Sequence, residues 1–184
     1  MKRTGILLIL ITMIATATSA QDFKMPVNLD RLAAKASETT EVTLNQRTLQ
    51  LAARFMNDED DLEARELVKK LKGIYVRSFE FDKPGEYSQA DVEEVRAQLK
   101  SPIWEKIVRV HSKRDGENAE VYFKADSNKQ IGGLVVIAAD PRELTIVHID
   151  GPLDPSDIDK LGGDFGVPRI EVPPQPKPAK EGAR

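Results

Sequence analysis

Residues 131–139, IGGLVVIAA, decide the fold of this chain, because every side chain in the run is apolar or absent. Turn-forming residues stand on both sides: the segment SNK at 127–129 precedes the run, and Asp140-Pro141 follows it. A short, continuous apolar run between turns is typical of a buried strand. We therefore predict a strand here, in the middle of a sheet.

Further strands are predicted on both sides of this run. They lie at residues 41–45, 73–81, 106–113, 119–125 and 144–150. Asp115-Gly116 marks a hairpin turn between two of them. Helical patterns come mainly earlier, at residues 26–36, 48–56, after the acidic cluster at 58–61, and from a capping box at 88–91. Helices followed by strands favour an α+β fold, with a largely antiparallel sheet of about five or six strands. We expect the helices mainly on one face and a more open second face.

The first twenty residues have the three parts of a secretory signal peptide. Lys2 and Arg3 supply the positive start, residues 5–15 are apolar and uncharged, and residues 16–20 are small. The apolar run is shorter than the roughly 20 residues that span a bilayer. We predict cleavage near Ala20, with Ala17 as the second choice. A retained anchor and a buried core helix are the alternatives.

Composition limits both the compartment and the partners. Removing the first 20 of 184 residues leaves 164, which suits a single domain at 25–170 followed by a disordered Pro-rich tail at 171–184. Lys2 and Arg3 leave with the signal peptide, so 25 basic residues face 30 acidic ones. This mild acidity argues against a nucleic-acid partner and against binding to an anionic membrane by bulk charge. After signal cleavage we expect no stable membrane anchor. The chain has no cysteine, which excludes disulfides and thiol chemistry. We expect a bacterial periplasmic or secreted protein.

No catalytic or cofactor motif accompanies the polar residues. His111 is predicted on a polar sheet face and His148 partly buried, and neither stands in a nucleophile or metal pattern. The acidic clusters at 58–61 and 150–164 fit helix starts, caps and turns better than calcium sites. We therefore expect no catalytic residue, no metal and no cofactor, and we lean against an enzyme without excluding one.

One group of side chains suggests a surface for a partner. On the strand at 73–81, side-chain alternation places Ile74 and Val76 on one face of the sheet, and Tyr75, Arg77 and Phe79 on the other. A bulge near Arg77-Ser78 would shift this register. If the strands pair as hairpins, the same outer face is shared by Tyr75, Arg77, Phe79, Arg109, His111 and Tyr122. Aromatic and Arg residues together are enriched in protein interfaces. We interpret this set as a candidate protein-docking face. The alternative is that the chain's own N-terminal helix covers it.

Several segments in order resemble a known family. They are GIYVRSFEF at 73–81, GGL at 132–134, LTIV at 144–147, Gly151-Pro152 and GGDFGVP at 162–168. Together they resemble the bacterial exported proteins that carry the label domain of unknown function 4252, over roughly residues 25–168. The resemblance implies an exported α+β envelope protein, and it supplies no catalytic or binding residues.

The sequence does not identify an activity. The interpretation that fits best is a non-catalytic binding or interaction module of the bacterial envelope, with another envelope protein as the expected partner. One alternative is an envelope hydrolase that uses carboxylates. The other is a structural accessory tethered through its Pro-rich tail. The oligomeric state stays open.

The signal peptide gives the first testable prediction. We expect the protein recovered from the envelope fraction to begin at Gln21, because the small-residue exit ends at Ala20. N-terminal sequencing or intact mass measures this directly. A chain that still begins at Met1 would contradict the prediction.

Overall fold

The computed structural model describes residues 22–58, 62–114, 116–126 and 130–154. The predicted signal peptide, part of the acidic cluster at 58–61, residues 155–170 of the predicted domain and the tail at 171–184 lie outside the described residues.

Six strands form one antiparallel sheet in the order β1-β2-β6-β5-β4-β3. The strands are β1 (Glu38–Asn45), β2 (Gly73–Glu80), β3 (Trp104–His111), β4 (Asn118–Ala125), β5 (Ile131–Asp140) and β6 (Glu143–Leu153). The helices are α1 (Asp30–Ala33), α2 (Gln46–Ala52), α3 (Leu62–Lys70) and α4 (Gln89–Arg96), and a 3-10 turn at Val27–Leu29 precedes α1. The prediction of an α+β fold with a largely antiparallel sheet is confirmed. The apolar run at 131–139 lies within β5, which pairs with β4 and β6.

Alternate residues of the central strands are buried on opposite faces of the sheet. On what we call the front face, Val135 and Ile137 of β5 and Ile146 of β6 pack with Phe79 of β2. On the back face, Leu134 and Val136 of β5 pack with Val147 and Ile149 of β6. Both faces therefore need a cover, because apolar surface gains stability only when it leaves water.

The helices, which we expected mainly on one face, are divided between the two. Leu29 and Leu32 at the start of the chain, together with Val92 and Val95 of α4, complete the front core. Leu49 of α2 and residues 67, 68 and 71 in and after α3 complete the back core. The reason is the central pair of strands: β5 and β6 are apolar at consecutive positions, so neither face can be left open.

Local signals fixed several boundaries. The backbone N–H of Ser88 donates to Asp91 at 2.7 Å, so the predicted capping box at the start of α4 is confirmed, with Asp in the place of the usual Glu. Helix α2 is capped by Asn45, which accepts from the backbone of Thr48, and not by Thr48 itself. The register of β2 is continuous against both neighbours, so no bulge is present at Arg77-Ser78.

Near its end, β6 makes a close approach that only glycine allows. Gly151 has a φ of 138°, and a Cβ atom there would stand 2.9 Å from the Cα of Leu71. The end of α3 and β6 therefore touch backbone to backbone, and the Lys72 N–H donates to the Asp150 carbonyl at 2.8 Å. Across residues 22–154, apart from the gaps given above, no helix is long and apolar enough to span a bilayer.

The second prediction concerns the N-terminal cover. Leu32 is fully buried against the front face, whereas Leu51 of α2 is exposed. Leu32→Ala should lower the free energy of unfolding by about 2–5 kcal/mol, because the change leaves a cavity in a packed core. The control Leu51→Ala should change it by less than about 0.5 kcal/mol. Urea denaturation of both variants measures the difference, and equal losses would contradict the packing described here.

Candidate functional site

The six predicted docking residues do lie on one face of the sheet. Phe79 and Tyr122 belong to the front core, and Tyr75 and Arg77 share the parity of Phe79 on β2. On β3, Arg109 pairs with Glu120 and His111 pairs with Asn118, which places both on the Tyr122 side of β4.

Their exposure, however, divides them into two groups. Phe79 is only 1 % exposed and Tyr122 only 4 %, because α1 and α4 pack over them. Neither is available to a partner in this fold. Glu120, two residues before Tyr122 on the same face of β4, is buried as well.

Glu120 is the centre of a charged network beneath α4. Its carboxylate accepts a hydrogen bond from the Tyr122 hydroxyl at 2.6 Å and pairs with Arg96 at 3.0 Å and Lys106 at 3.1 Å. Burial by itself would raise the pKa of Glu120, but these hydrogen bonds and the Arg96 charge lower it below the ordinary value. The same carboxylate and burial raise the pKa of Tyr122. A buried charge with this many partners is stable, and removing one partner would be costly.

Arg77 also has a structural contact. Its guanidinium pairs with Asp30 of α1 at 2.5 Å and with Glu41 of β1 at 3.3 Å. Arg31 of α1 pairs in turn with Asp91 at the start of α4. These pairs hold the N-terminal helix on the front face.

Arg109 and His111 remain accessible, because β3 is the edge strand of the sheet. The Arg109 side chain is 68 % exposed, and its Nε lies 3.6 Å from Glu120. His111 donates from Nδ1 to the Asn118 side chain at 2.6 Å. Ile107 and Val110 of the same strand are exposed as well. Every residue of β3 after Trp104 except Val108 is exposed.

At the opposite end of the front face, the N-terminal segment and the sheet line a half-open cavity of about 400 Å³. We call it the N-terminal cavity. Its lining combines aromatic rings with charges of both signs. The residues are Asp22, Phe23, Lys24, Met25, Tyr75, Lys124, His148 and Asp150.

Two glycines leave the room for this cavity. Asp150 of β6 pairs with Gly73 on one side and with Gly133 on the other, so no side chain stands beside it on either neighbouring strand. A Cβ atom at Gly73 would come within 2.6 Å of the Tyr75 ring, and one at Gly133 would lie 3.0 Å from the Ile149 carbonyl oxygen. Gly73 thus lets Tyr75 fold back over its own strand.

His148 forms one wall of the N-terminal cavity. Its ring stacks on Tyr75 with centroids 5.5 Å apart and meets Phe23 edge-on at 5.0 Å. Burial lowers the pKa of His148 to about 4, and the neighbouring carboxylate of Asp150 only partly opposes this. The imidazole is therefore neutral at physiological pH, with one nitrogen as donor and the other as acceptor.

Sequence reasoning treated His148 as an ordinary core histidine and missed the cavity. The available signal was the pair Gly73 and Gly133, since a glycine inside a strand often marks a close approach or a missing side chain. Strand pairing was needed to see that both glycines flank Asp150. Among the described residues, no cluster of three or more His, Asp or Glu side chains could hold a metal ion.

Comparison with known proteins gives one match. The family model described as domain of unknown function (DUF4252) matches residues 33–161. Neither a curated protein nor a solved structure matches the chain. The family match begins after Leu32, so Phe23, Leu29 and Leu32 of the front core precede it.

The burial of His148 predicts a pH dependence. Its pKa lies near 4 in the folded protein and near 6.5 when unfolded, so the unfolded chain binds the proton more readily between these values. Stability should fall as the pH drops from about 6.5 towards 4. In His148→Phe, which keeps a ring at this position, the fall should be shallower. Thermal unfolding across this pH range measures the slopes, and identical slopes would contradict the assignment.

Proposed function

The chain belongs to the family of domain of unknown function 4252. We propose that it is an exported, non-catalytic binding module of the bacterial envelope. The proposal includes the signal peptide at 1–20, one domain at 25–170 and a tail at 171–184. Its docking element is the edge strand β3, and its partner is an extended, acidic segment of another envelope protein.

The observation that carries this proposal is the exposure of β3. One side of this eight-residue strand has no neighbouring strand in the described sheet, so its outward backbone N–H and C=O groups are free to pair. Adding a strand to such an edge is a common way of binding an extended peptide. Exposed Ile107 and Val110 add apolar contact area along the same edge.

The charge of the strand sets the chemistry of the partner. Lys106 and Arg109 lie on β3 beside one acid of the strand, Glu105, and both also pair with Glu120 of β4. Exposed Lys113 and Arg114 follow the strand and add two positive charges. Opposite charges across an interface speed association and reject wrong partners. The irregular register between Lys106 and Val108 disturbs the edge, which disfavours pairing with an arbitrary strand. An acidic extended segment fits this edge best.

The carboxylate-hydrolase alternative has weaker support. A glycosidase-like acid needs a carboxyl group whose pKa is raised. Each described carboxyl whose pKa departs clearly from its ordinary value is shifted downwards, and each of them has a basic partner: Asp22, Glu66, Asp91, Glu93 and Glu120. Such groups serve in ion pairs better than as proton donors.

Charge reversal on β3 tests the proposal. Arg109→Glu should weaken capture of the partner from envelope extracts by about tenfold or more, the loss expected for an interface residue worth at least 1.4 kcal/mol. Ile107→Ser should weaken it too, because it removes apolar contact on the same edge without adding a charge. Quantitative mass spectrometry of the captured proteins, followed by binding assays with the purified partner, gives the measurement.

A matched control uses the opposite edge of the sheet. Glu38 is exposed on β1, and Glu38→Lys also reverses one charge on an edge strand. It should leave capture unchanged. Thermal melts of the Ile107 and Glu38 variants should stay close to the parent. Arg109→Glu places an acid beside buried Glu120, so its capture is compared at a temperature where its own melt shows it folded. Equal capture by the parent and both β3 variants would refute the docking edge.

A further inference from the structure

We propose that the N-terminal cavity is a binding site for a small zwitterion with an aromatic group, that is, an aromatic amino acid. This inference goes beyond the proposed docking function and uses the other end of the front face. It stands on the shape of the cavity, its aromatic wall and the arrangement of its charges.

The size and lining of the cavity suit a small molecule. Its volume of about 400 Å³ falls within the usual range of ligand sites, which are mostly apolar with a few placed polar groups. Phe23, Met25 and Tyr75 supply the apolar lining, and stacked His148 extends the ring surface of Tyr75. Flat aromatic groups pack well against such walls, offset-stacked or edge-on.

The charges of the lining come in both signs. Lys24 and Lys124 are the basic residues of the lining, and Asp22 and Asp150 are the acidic ones. Lys124 is paired with Asp22 at the rim that the N-terminal segment forms. Asp150 lines the cavity between Gly73 and Gly133. These two glycines are its pairing partners on the neighbouring strands, and they carry no side chain. A ligand ammonium therefore fits at Asp150 and a ligand carboxylate at the lysines.

The neutral imidazole of His148 suits a ligand that carries an ammonium group. A charged His148 would repel the ligand ammonium, whereas the neutral ring offers one donor and one acceptor. The Nε1–H of buried Trp104, whose ring centre lies 6.2 Å from that of His148, has no hydrogen-bond partner among the described residues.

Trp104 also provides the readout, because it is the only tryptophan of the chain. We would titrate the purified protein with L-phenylalanine and follow the Trp104 emission, with calorimetry as the second measurement. Phenethylamine lacks the carboxylate, and hydrocinnamate lacks the ammonium group. We expect saturable binding of L-phenylalanine and binding of each truncated compound weaker by about tenfold or more, the loss expected for one charged hydrogen bond.

Variants separate the site from general effects. Asp150→Asn keeps the shape and removes the negative charge, so it should weaken L-phenylalanine binding by about tenfold while leaving hydrocinnamate binding unchanged. Glu38→Gln on β1, an exposed acid far along the sheet, is the matched control and should bind like the parent.

Three results would overturn the proposal. The first is no saturable binding up to about 10 mM, a concentration far above the dissociation constant of a specific site. The second is equal binding of phenethylamine and L-phenylalanine. The third is equal binding of L-phenylalanine by Asp150→Asn and the parent. Arg109→Glu on β3 should bind L-phenylalanine normally. The outcome at the cavity is therefore independent of the outcome at the docking edge.

Discussion

Burial of β5 and β6 on both faces is the constraint on which the rest of the structure depends. Consecutive side chains of these strands are apolar, so a single layer of helices would leave half of them in water. The chain meets this constraint with α2 and α3 on the back face and with α4 and the N-terminal segment on the front face. The N-terminal segment is thus part of the domain's core, although the family match begins after Leu32.

Covering the front face brings polar groups under the helices, and each must find partners there. Glu120 does so through Tyr122, Arg96 and Lys106. Arg77 and Arg31 do so by pairing with acids of α1, β1 and α4. His148 instead gives up its charge, as its pKa near 4 indicates. The polar residues that looked like a docking face are therefore largely the ties that hold the cover in place.

What remains open on the front face lies at its two ends. At one end, β3 is the edge strand of the sheet that the described residues form, and it keeps Arg109 and His111 accessible. At the other, Gly73 and Gly133 leave the space around Asp150 that the N-terminal segment closes into a cavity. One end offers an exposed strand edge and the other a half-open cavity, so the two suit different kinds of partner.

The sequence by itself determined the strands, the capping box of α4, the parity of Tyr75, Arg77 and Phe79, and the α+β class. These follow from the period of apolar residues and from turn and cap residues, which act over a few positions. Only the tertiary structure decided that Phe79 and Tyr122 are covered, that Glu120 is buried, and that Gly73 and Gly133 flank Asp150. Alternation tells which residues share a face but not what packs on that face. Burial and the cavity depend on strand order and on contacts between residues far apart in the chain, which no local pattern encodes.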